Sequence, residues 1–562
     1  MNILGINYFF HDSSACVVMD GQLRVALEEE RFTRRKHTNE FPVQAIERCL
    51  QISGISMQQI DHIAVSIAPT KDLGKKVAYS LGLGKKVAPF IKHEFKGIYV
   101  KQKAFWNWYK GIWGRRDAGP KVHFVEHHLS HVAGSYFVSP YQKAALLSLD
   151  GSGEWSTAML GTAEGDQLNF FGESHFPHSL GSFYEAATEF CGFQPNYDEG
   201  KTMGLAPFGN PDRFYKDVEK LVNITSEGQI QIDLSYFEYQ NAGYQRCGQK
   251  FYDTFGQPRS RKGAFEDHHH DVAAAFQKVL EDKVLQMCHL LEQKTDADYL
   301  VIAGGVALNS VMNGRILRDT RFKDVYVMPA AGDNGSCIGA AYYLYNHILK
   351  QPRNFVHLDP YLGTEYSNEQ IKKTLDECKL SYTRSEDICL DTAQMLRDGQ
   401  IIGWFQGRME IGPRALGSRS ILADPTLPGM KDKINAEVKH REAYRPFAPS
   451  CPAEFKQDFF DIRVNAPFML KVCDVLPDKR DVIPAITHVD GSARLQTVHA
   501  DTNPLYHRMI SEFGKLSGVP VVLNTSFNIM GEPVVESPLH AIRCFFSTGL
   551  DVLVLGDYIV RK

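Results

Sequence analysis

Tyr299-Leu300-Val301-Ile302-Ala303-Gly304-Gly305-Val306-Ala307-Leu308-Asn309 reads as an apolar strand that breaks at two glycines and restarts as a helix. The same plan returns at Asp324 to Pro329, which runs into Ala330-Ala331-Gly332-Asp333-Asn334-Gly335-Ser336 and a helix ending near Leu349. In both, glycine at the strand end lets backbone come close to a ligand, while the helix N-terminus offers unpaired N–H groups to an anion. Repeated after two strands, such loops predict a nucleotide seat in an α/β fold.

Upstream, Leu147-Ser148-Leu149-Asp150-Gly151-Ser152-Gly153 is a further apolar strand that ends in Asp and Gly. Before it, His127-His128-Leu129-Ser130-His131 opens a segment, Leu129 to Val138, with the composition of a helix. On that helix His127 and His131 stand on one face, where two imidazoles can grip one metal ion, and Asp150 is a candidate third ligand. The competing reading of such a pair is two ordinary surface or core histidines.

The N-terminal part reads as strand 2–8, a polar turn Tyr8 to Ser14, and strands Ala15–Met19 and Leu23–Leu27 paired across Asp20-Gly21, a dipeptide suited to a type I′ hairpin. Glu28 to His37 is charged enough to be a solvated edge. A helix Pro42–Ile52 and a strand Ile60–Ser66 follow. Ten Lys and two Arg against Asp72 and Glu94 give Lys71 to Arg116 a local +10, with Trp and Tyr interleaved, so the remainder carries −14. That segment suits an inserted helical subdomain or a contact with an anionic substrate, a membrane surface or a partner. Ser156–Phe171 reads as hairpins, Leu180–Phe190 as a helix, and Asp198 to Pro207 as a glycine-punctuated loop carrying Lys201. His268-His269-His270 resembles a metal motif but sits at the start of an amphipathic helix of about 271–294, where consecutive histidines point apart, and reads as structural.

Gln351 to Ser367 is the linker candidate. Beyond it come helices at about 368–376 and 389–398 and strand Ile401–Phe405. Gly407 to Ser420 then sets Arg408, Arg414 and Arg419 among glycines, Lys439 to Pro446 adds further cations, and a strand Val521–Leu523 leads into Asn524-Thr525-Ser526-Phe527-Asn528. Three such clusters in one domain of modest size predict an anion site.

With 562 residues the chain needs two to four domains, and 43% hydrophobic with 23% charged residues is an ordinary globular composition. A net charge of −4 gives no nucleic-acid-like field. The absence of a basic, apolar leader and of a long apolar run predicts a cytoplasmic protein without a transmembrane segment. Eleven scattered cysteines without a Cys-x-x-Cys pair predict buried free thiols. The sequence admits a homodimer.

Taken in order, His11-Asp12-Ser13, Glu28 to His37, His127-x-x-x-His131, Asp150-Gly151-x-Gly153-Glu154, Gly200-Lys201-x-Met203-Gly204-Leu205-Ala206, Gly304-Gly305-Val306-Ala307-x-Asn309, Gly332-Asp333, Gly412-Pro413-Arg414-Ala415-Leu416-Gly417, Lys439 to Pro446 and Asn524 to Asn528 resemble, over the whole length, the nodulation-type and antibiotic-pathway O-carbamoyltransferases. The resemblance implies an actin-like ATPase domain over 1–355, with the insert at about 71–116, and a carbamoyl-adenylate-forming α/β domain over 356–562 like that of threonylcarbamoyl-adenylate synthases. It implies ATP and carbamoyl phosphate as substrates, Mg²⁺ with ATP, and a hydroxyl-bearing small molecule or oligosaccharide as acceptor, in natural-product or signalling-molecule biosynthesis. By the same resemblance His127, His131, Asp150 and Asp333 hold a metal, with Fe²⁺ favoured and Mn²⁺ or Zn²⁺ as alternatives, and His11 is the general base. Gly151, Lys201, Gly305 and Asn309, joined by Lys36, seat the adenylate. Arg414, Lys439, Arg441, Arg445, Arg494, Asn524, Ser526 and Asn528 bind carbamoyl phosphate and ATP. The rival readings are an actin-like small-molecule kinase, a non-catalytic nucleotide-regulated binding protein and a metallohydrolase.

Overall fold

The computed structural model describes residues 1–8, 10–82, 87–241 and 245–562, with backbone alone for 82, 87–96 and 98. The chain forms two compact units, Met1–Glu29 with His37–His357, and Glu30–Lys36 with Leu358–Lys562.

Unit one opens with β1 (Asn2–Asn7), β2 (Ser14–Met19) and β3 (Gln22–Glu28), then α1 (Val43–Ser53), β4 (His62–Val65), α2 (Leu73–Gly82), α3 (Val87–Trp113), β5 (Lys121–Phe124) and α4 (His127–Tyr136). Both Asp20 and Gly21 have positive φ, 48° and 79°, as a type I′ hairpin requires. A second series follows: β6 (Lys143–Leu149), β7 (Ser156–Glu164), β8 (Gln167–His175), α5 (Leu180–Phe190), α6 (Glu199–Leu205), α7 (Asp267–Lys294), β9 (Tyr299–Ala303), α8 (Ser310–Asp319), β10 (Asp324–Val327) and α9 (Ser336–Tyr342).

The two sheets repeat one design. Their strand orders are β3-β2-β1-β4-β5 and β8-β7-β6-β9-β10, in each case an antiparallel meander whose first strand continues into two parallel strands. A β-β-β-α-β-α-β plan used twice is the architecture expected of an actin-like ATPase domain. Each copy sends a helix off its last parallel strand, α4 in the first and α9 in the second, and these helices cross at Gly134 and Gly339. A Cβ on Gly339 would lie 1.7 Å from the Ser130 carbonyl oxygen, and one on Gly134 3.0 Å from Gly339. Gly339→Ala is therefore expected to force α4 and α9 apart and to cost about 3 kcal/mol, read as a lower urea midpoint with unchanged m. A midpoint equal to that of wild type would show that the crossing has room.

Three local expectations change. Glu28 to Arg31 is buried and its charges are paired, because Glu28 accepts from Asn334 (2.7 Å), Glu29 accepts the N–H of Ala45 (2.7 Å) in the first turn of α1, and Arg31 pairs with Glu30 at 3.0 Å. Asp198 to Pro207 is not a loop but the helix α6 followed by a 3₁₀ turn; Glu199 in its first turn suits the helix dipole, and Thr202 and Leu205 bury one face despite two glycines. Helix α7 starts at Asp267, four residues earlier than expected, since His269 Nδ1 accepts the Glu266 N–H at 2.9 Å and closes a capping arrangement. All eleven cysteines are free thiols, ten of them buried.

Unit two carries α10 (Asn368–Glu377), β11 (Thr383–Arg384), α11 (Ile388–Arg397), β12 (Ile402–Phe405), β13 (Arg419–Ala423), β14 (Ala448–Pro452), β15 (Gln496–Val498), α12 (Pro504–Ser517), β16 (Val522–Ser526), α13 (Pro538–Phe546), β17 (Val552–Leu555) and β18 (Tyr558–Arg561). Its mixed sheet runs β11-β18-β17-β12-β13-β16-β14-β15. Helices α11 and α12 bury Leu396, Met509, Ile510 and Phe513 against Ile402, Trp404 and Val554 of that sheet, with Trp404 Nε1 donating to Gly417 O at 2.9 Å. Strand β16 runs three residues further than expected, which places Asn524 and Ser526 inside the sheet, paired with Leu422 and Ser420.

Candidate metal centre and polyanion site

The duplicated fold brings four side chains to one point. His127 and His131 come from α4 just after β5, and Asp333 lies just after β10, the matching position of the second copy. Asp150 ends β6, the position that His11 and Asp12 hold after β1. Helix α4 starts two residues before its expected start because Glu126 accepts the Leu129 N–H at 2.7 Å. His127 Nε2 lies 3.0 Å from His131 Nε2, 3.0 Å from Asp150 Oδ2 and 3.4 Å from Asp333 Oδ1. His131 Nε2 lies 3.3 Å and 3.5 Å from the same two oxygens. The Gly305 N–H holds the other Asp150 oxygen at 3.0 Å.

Two imidazole nitrogens and two carboxylate oxygens so arranged fit a divalent cation. Donors about 2.1 Å from a tetrahedral centre lie about 3.4 Å apart, close to the spacings found. Two Nε2 atoms 3.0 Å apart cannot both point hydrogens at each other, a conflict that a shared cation removes. Burial alone would push the His127 imidazolium down, but Asp333 and Asp150 outweigh it and hold its pKa well above the ordinary value. Burial would likewise raise Asp150, yet its bonds to His127 and His131 hold it well below the carboxylate range. His128 points elsewhere: its Nδ1 meets Ser148 Oγ at 2.8 Å, and burial with the neighbouring His127 lowers its pKa to about 3, so it is a neutral packing residue.

His11 Nε2 faces Asp333 Oδ2 at 3.9 Å, and its Nδ1 meets Asp12 at 2.9 Å. Asp12 bridges to His37 Nδ1 at 2.7 Å, and the His37 ring packs on Tyr197 with centroids 4.6 Å apart. Burial lowers the His11 pKa, while Asp333, Asp12 and Asp150 together leave it at about 10. Sequence reasoning missed the roles of Asp12 and His37, since nothing in a His-Asp dipeptide signals that its carboxylate serves two rings.

The expected adenylate residues are spread more widely. Gly151 lies against Glu185, whose carboxylate would be 3.2 Å from a Cβ there. Lys201 pairs with Asp198 at 2.8 Å. Asn309 spends its amide inside the fold, capping α8 at Met312 N (3.1 Å) and pairing with Gln277 (2.9 Å). Lys36 belongs to unit two, where its charge acts on Lys439.

In unit two, Lys439 Nζ reaches Asn528 Oδ1 at 2.9 Å and the Ser526 carbonyl oxygen. His440 adopts φ 47°, reversing the chain between Lys439 and Arg441. Arg441 is held by Asn435 Oδ1 at 2.7 Å and by the face of Phe447. The Nε–H groups of Arg414 and Arg494 are buried without a partner among the described residues. Burial lowers every one of these cations, and their mutual repulsion adds to it: Arg414 falls to about 10 beside Arg445, Arg441 to about 9, and Arg494 lies well below its ordinary value beside Arg414, Arg441 and Arg445. The one carboxylate paired with this nest is Glu442, 3.9 Å from Arg445 among the described residues. Arg408 and Arg419 are not members; they donate to the carbonyl oxygens of Leu362 (2.8 Å) and Gln406 (2.7 Å) and clamp the loop that presents Arg414. Asn524 is also internal, bonded to Ser450 Oγ at 3.0 Å and Gln496 Oε1 at 3.1 Å.

An α/β enzyme with a ligand nest on the first unit and, on the second, a cationic nest that a single described carboxylate pairs with is the class that the geometry defines. Residues 2–342 match the carbamoyltransferase N-terminus and residues 393–562 the carbamoyltransferase C-terminus, and the chain belongs to the carbamoyltransferase family. It is 40% identical over 598 residues to an uncharacterized protein of Synechocystis, covering 100% of this chain and 97% of that one. Nodulation protein NolNO of Sinorhizobium fredii is 35% identical over 570 residues, with 99% and 80% covered. A 3'-hydroxymethylcephem-O-carbamoyltransferase of Streptomyces clavuligerus is 30% identical over 377 residues, with 65% of each chain covered.

Proposed function

We propose that this enzyme is an ATP-dependent O-carbamoyltransferase that makes carbamoyl-adenylate in unit two and passes the carbamoyl group to an acceptor hydroxyl in unit one. The observation that carries the reading is the nest of Arg414, Lys439, Arg441, Arg445 and Arg494, whose mutual repulsion calls for a polyanionic ligand. Carbamoyl phosphate and ATP, with Mg²⁺ on the phosphates, supply that charge, and the unpartnered Nε–H groups of Arg414 and Arg494 are donors for it. Atom balance for carbamoyl phosphate, ATP and water requires carbamoyl-adenylate, pyrophosphate and orthophosphate as products. In the second half-reaction the acceptor oxygen bonds to the carbamoyl carbon, the bond to the AMP oxygen breaks, and the hydroxyl proton leaves.

His11 would take that proton as the neutral imidazole: a divalent cation on Asp333 and Asp150 would cancel the carboxylate charges that hold the ring protonated, while Asp12 fixes the ring through Nδ1. His127, His131, Asp150 and Asp333 would hold the metal, Fe²⁺ or another divalent ion, which supplies Lewis acidity toward the anhydride when bound. Gly305 brings backbone against the same point through its N–H on Asp150.

The test is product analysis with ATP, carbamoyl phosphate and a panel of hydroxylated acceptors. AMP and pyrophosphate should form only when carbamoyl phosphate is present, together with a carbamoylated acceptor seen by mass spectrometry. ADP as the sole nucleotide product would overturn the reading in favour of a kinase.

A further inference from the structure

The basic, aromatic segment 71–116 has no part in the chemistry above. Helix α3 is anchored by one face: Phe105 and Tyr109 are buried, Phe105 packs on Phe124 with centroids 5.7 Å apart, and Tyr109 donates to Pro120 O at 2.9 Å. Its other face is exposed at Val100, Lys103, Ala104, Asn107, Lys110 and Gly111, positions three and four apart that form one side of a helix. Lys103 and Lys110 on that side make no ion pair among the described residues, and Glu94 is the one acidic residue in α3. Helix α2 presents a second apolar stripe at four-residue steps, with Leu73, Val77 and Leu81 exposed to 39%, 45% and 78%. Tyr99 and Val100 add 66% and 52%.

Exposed Leu, Val and Tyr, in a segment whose Lys103 and Lys110 form no ion pair among the described residues, are costly for a merely solvated face and are what an interfacial helix uses. Nucleic acid would engage the lysines but gives the aliphatic stripe nothing to enter. By sequence the segment carries +10 while the rest of the chain carries −14, so a negative surface attracts this segment and, on balance, repels the remainder. We propose that α2, through Leu73, Val77 and Leu81, and α3, through Lys103 and Lys110, dock the protein onto an anionic lipid bilayer, with the α2 stripe entering the headgroup boundary and these two lysines meeting lipid phosphates. No described helix is long and apolar enough to cross a membrane, and the attachment proposed is to one leaflet.

The experiment is co-sedimentation of the full chain with vesicles of phosphatidylcholine containing about one-third phosphatidylglycerol, against pure phosphatidylcholine vesicles. Binding is expected to the anionic vesicles alone and to weaken as salt shortens the electrostatic range. Val77→Glu with Leu81→Glu should weaken partitioning about tenfold, and Lys103→Gln with Lys110→Gln about fivefold per lysine. All four positions are exposed, so circular dichroism and the melting temperature should match wild type. No sedimentation with anionic vesicles, equal binding by both double variants, or retention by duplex DNA without any by lipid would each overturn the proposal.

Discussion

His131→Ala is expected to cut carbamoyl transfer sharply while leaving adenylate formation intact. The side chain contributes one of two nitrogens to the nest of His127, Asp150 and Asp333, and without it two buried carboxylate oxygens face a single imidazole. A site reduced to three donors holds a cation more weakly, and the lost charge stabilisation of the transition state is expected to cut transfer about a thousandfold or more. ATP–pyrophosphate exchange dependent on carbamoyl phosphate should stay within about twofold of wild type, because Lys439 and its arginines belong to the other unit. Bound metal, measured on the purified variant, should fall in parallel with transfer, and the folded chain should lose about 1 to 3 kcal/mol from the two poorly compensated carboxylates. Equal loss of exchange and transfer in a variant that still melts cooperatively would contradict the assignment of the two half-reactions to different units.

The nest illustrates what a sequence can and cannot carry. His127 and His131 are legible because helical spacing alone puts them on one face, and Asp150 because an apolar strand ends on it. Asp333 follows a strand of the same kind, yet its convergence on the histidines depends on the duplication of the fold, which brings the ends of β5, β6 and β10 together. Strand and helix periods likewise mark β9, β10, α5, α10 and α11. The errors lie where charge is compensated in three dimensions. Glu28 to Arg31 has the composition of a wet edge, but Asn334 and the first turn of α1 supply partners far along the chain. The three arginines of 408–419 look alike in sequence, and only the carbonyl oxygens around Arg408 and Arg419 separate two structural clamps from Arg414, whose Nε–H has no partner among the described residues.

Arg494→Met is the sharper test of the second unit because it pulls stability and activity in opposite directions. Arg494 is a half-buried cation among Arg414, Arg441 and Arg445, and its Nε–H has no partner among the described residues. In the ligand-free protein those charges repel, so methionine, similar in length and neutral, relieves the fold and should raise the melting temperature by a few degrees, about 1 kcal/mol. The same change removes a donor and a charge for the transferring phosphates, and adenylate formation should fall about a hundredfold or more. Because the folded state holds Arg441, Arg414, Lys439 and Arg494 less readily protonated than the unfolded chain, it binds fewer protons. Ligand-free stability should therefore rise with pH from the depressed values, about 9 for Arg441 and about 10 for Arg414, toward the ordinary 12.5. Lys439 extends that rise to lower pH, from its own depressed value up to 10.5. ATP with carbamoyl phosphate should flatten the slope in wild type by favouring the charged forms, and should do so less in Arg494→Met, since one of the cations proposed to bind them is gone. A variant that melts below wild type in the absence of ligand, or that keeps full pyrophosphate exchange, would mean that Arg494 is a structural cation and that the polyanion binds elsewhere.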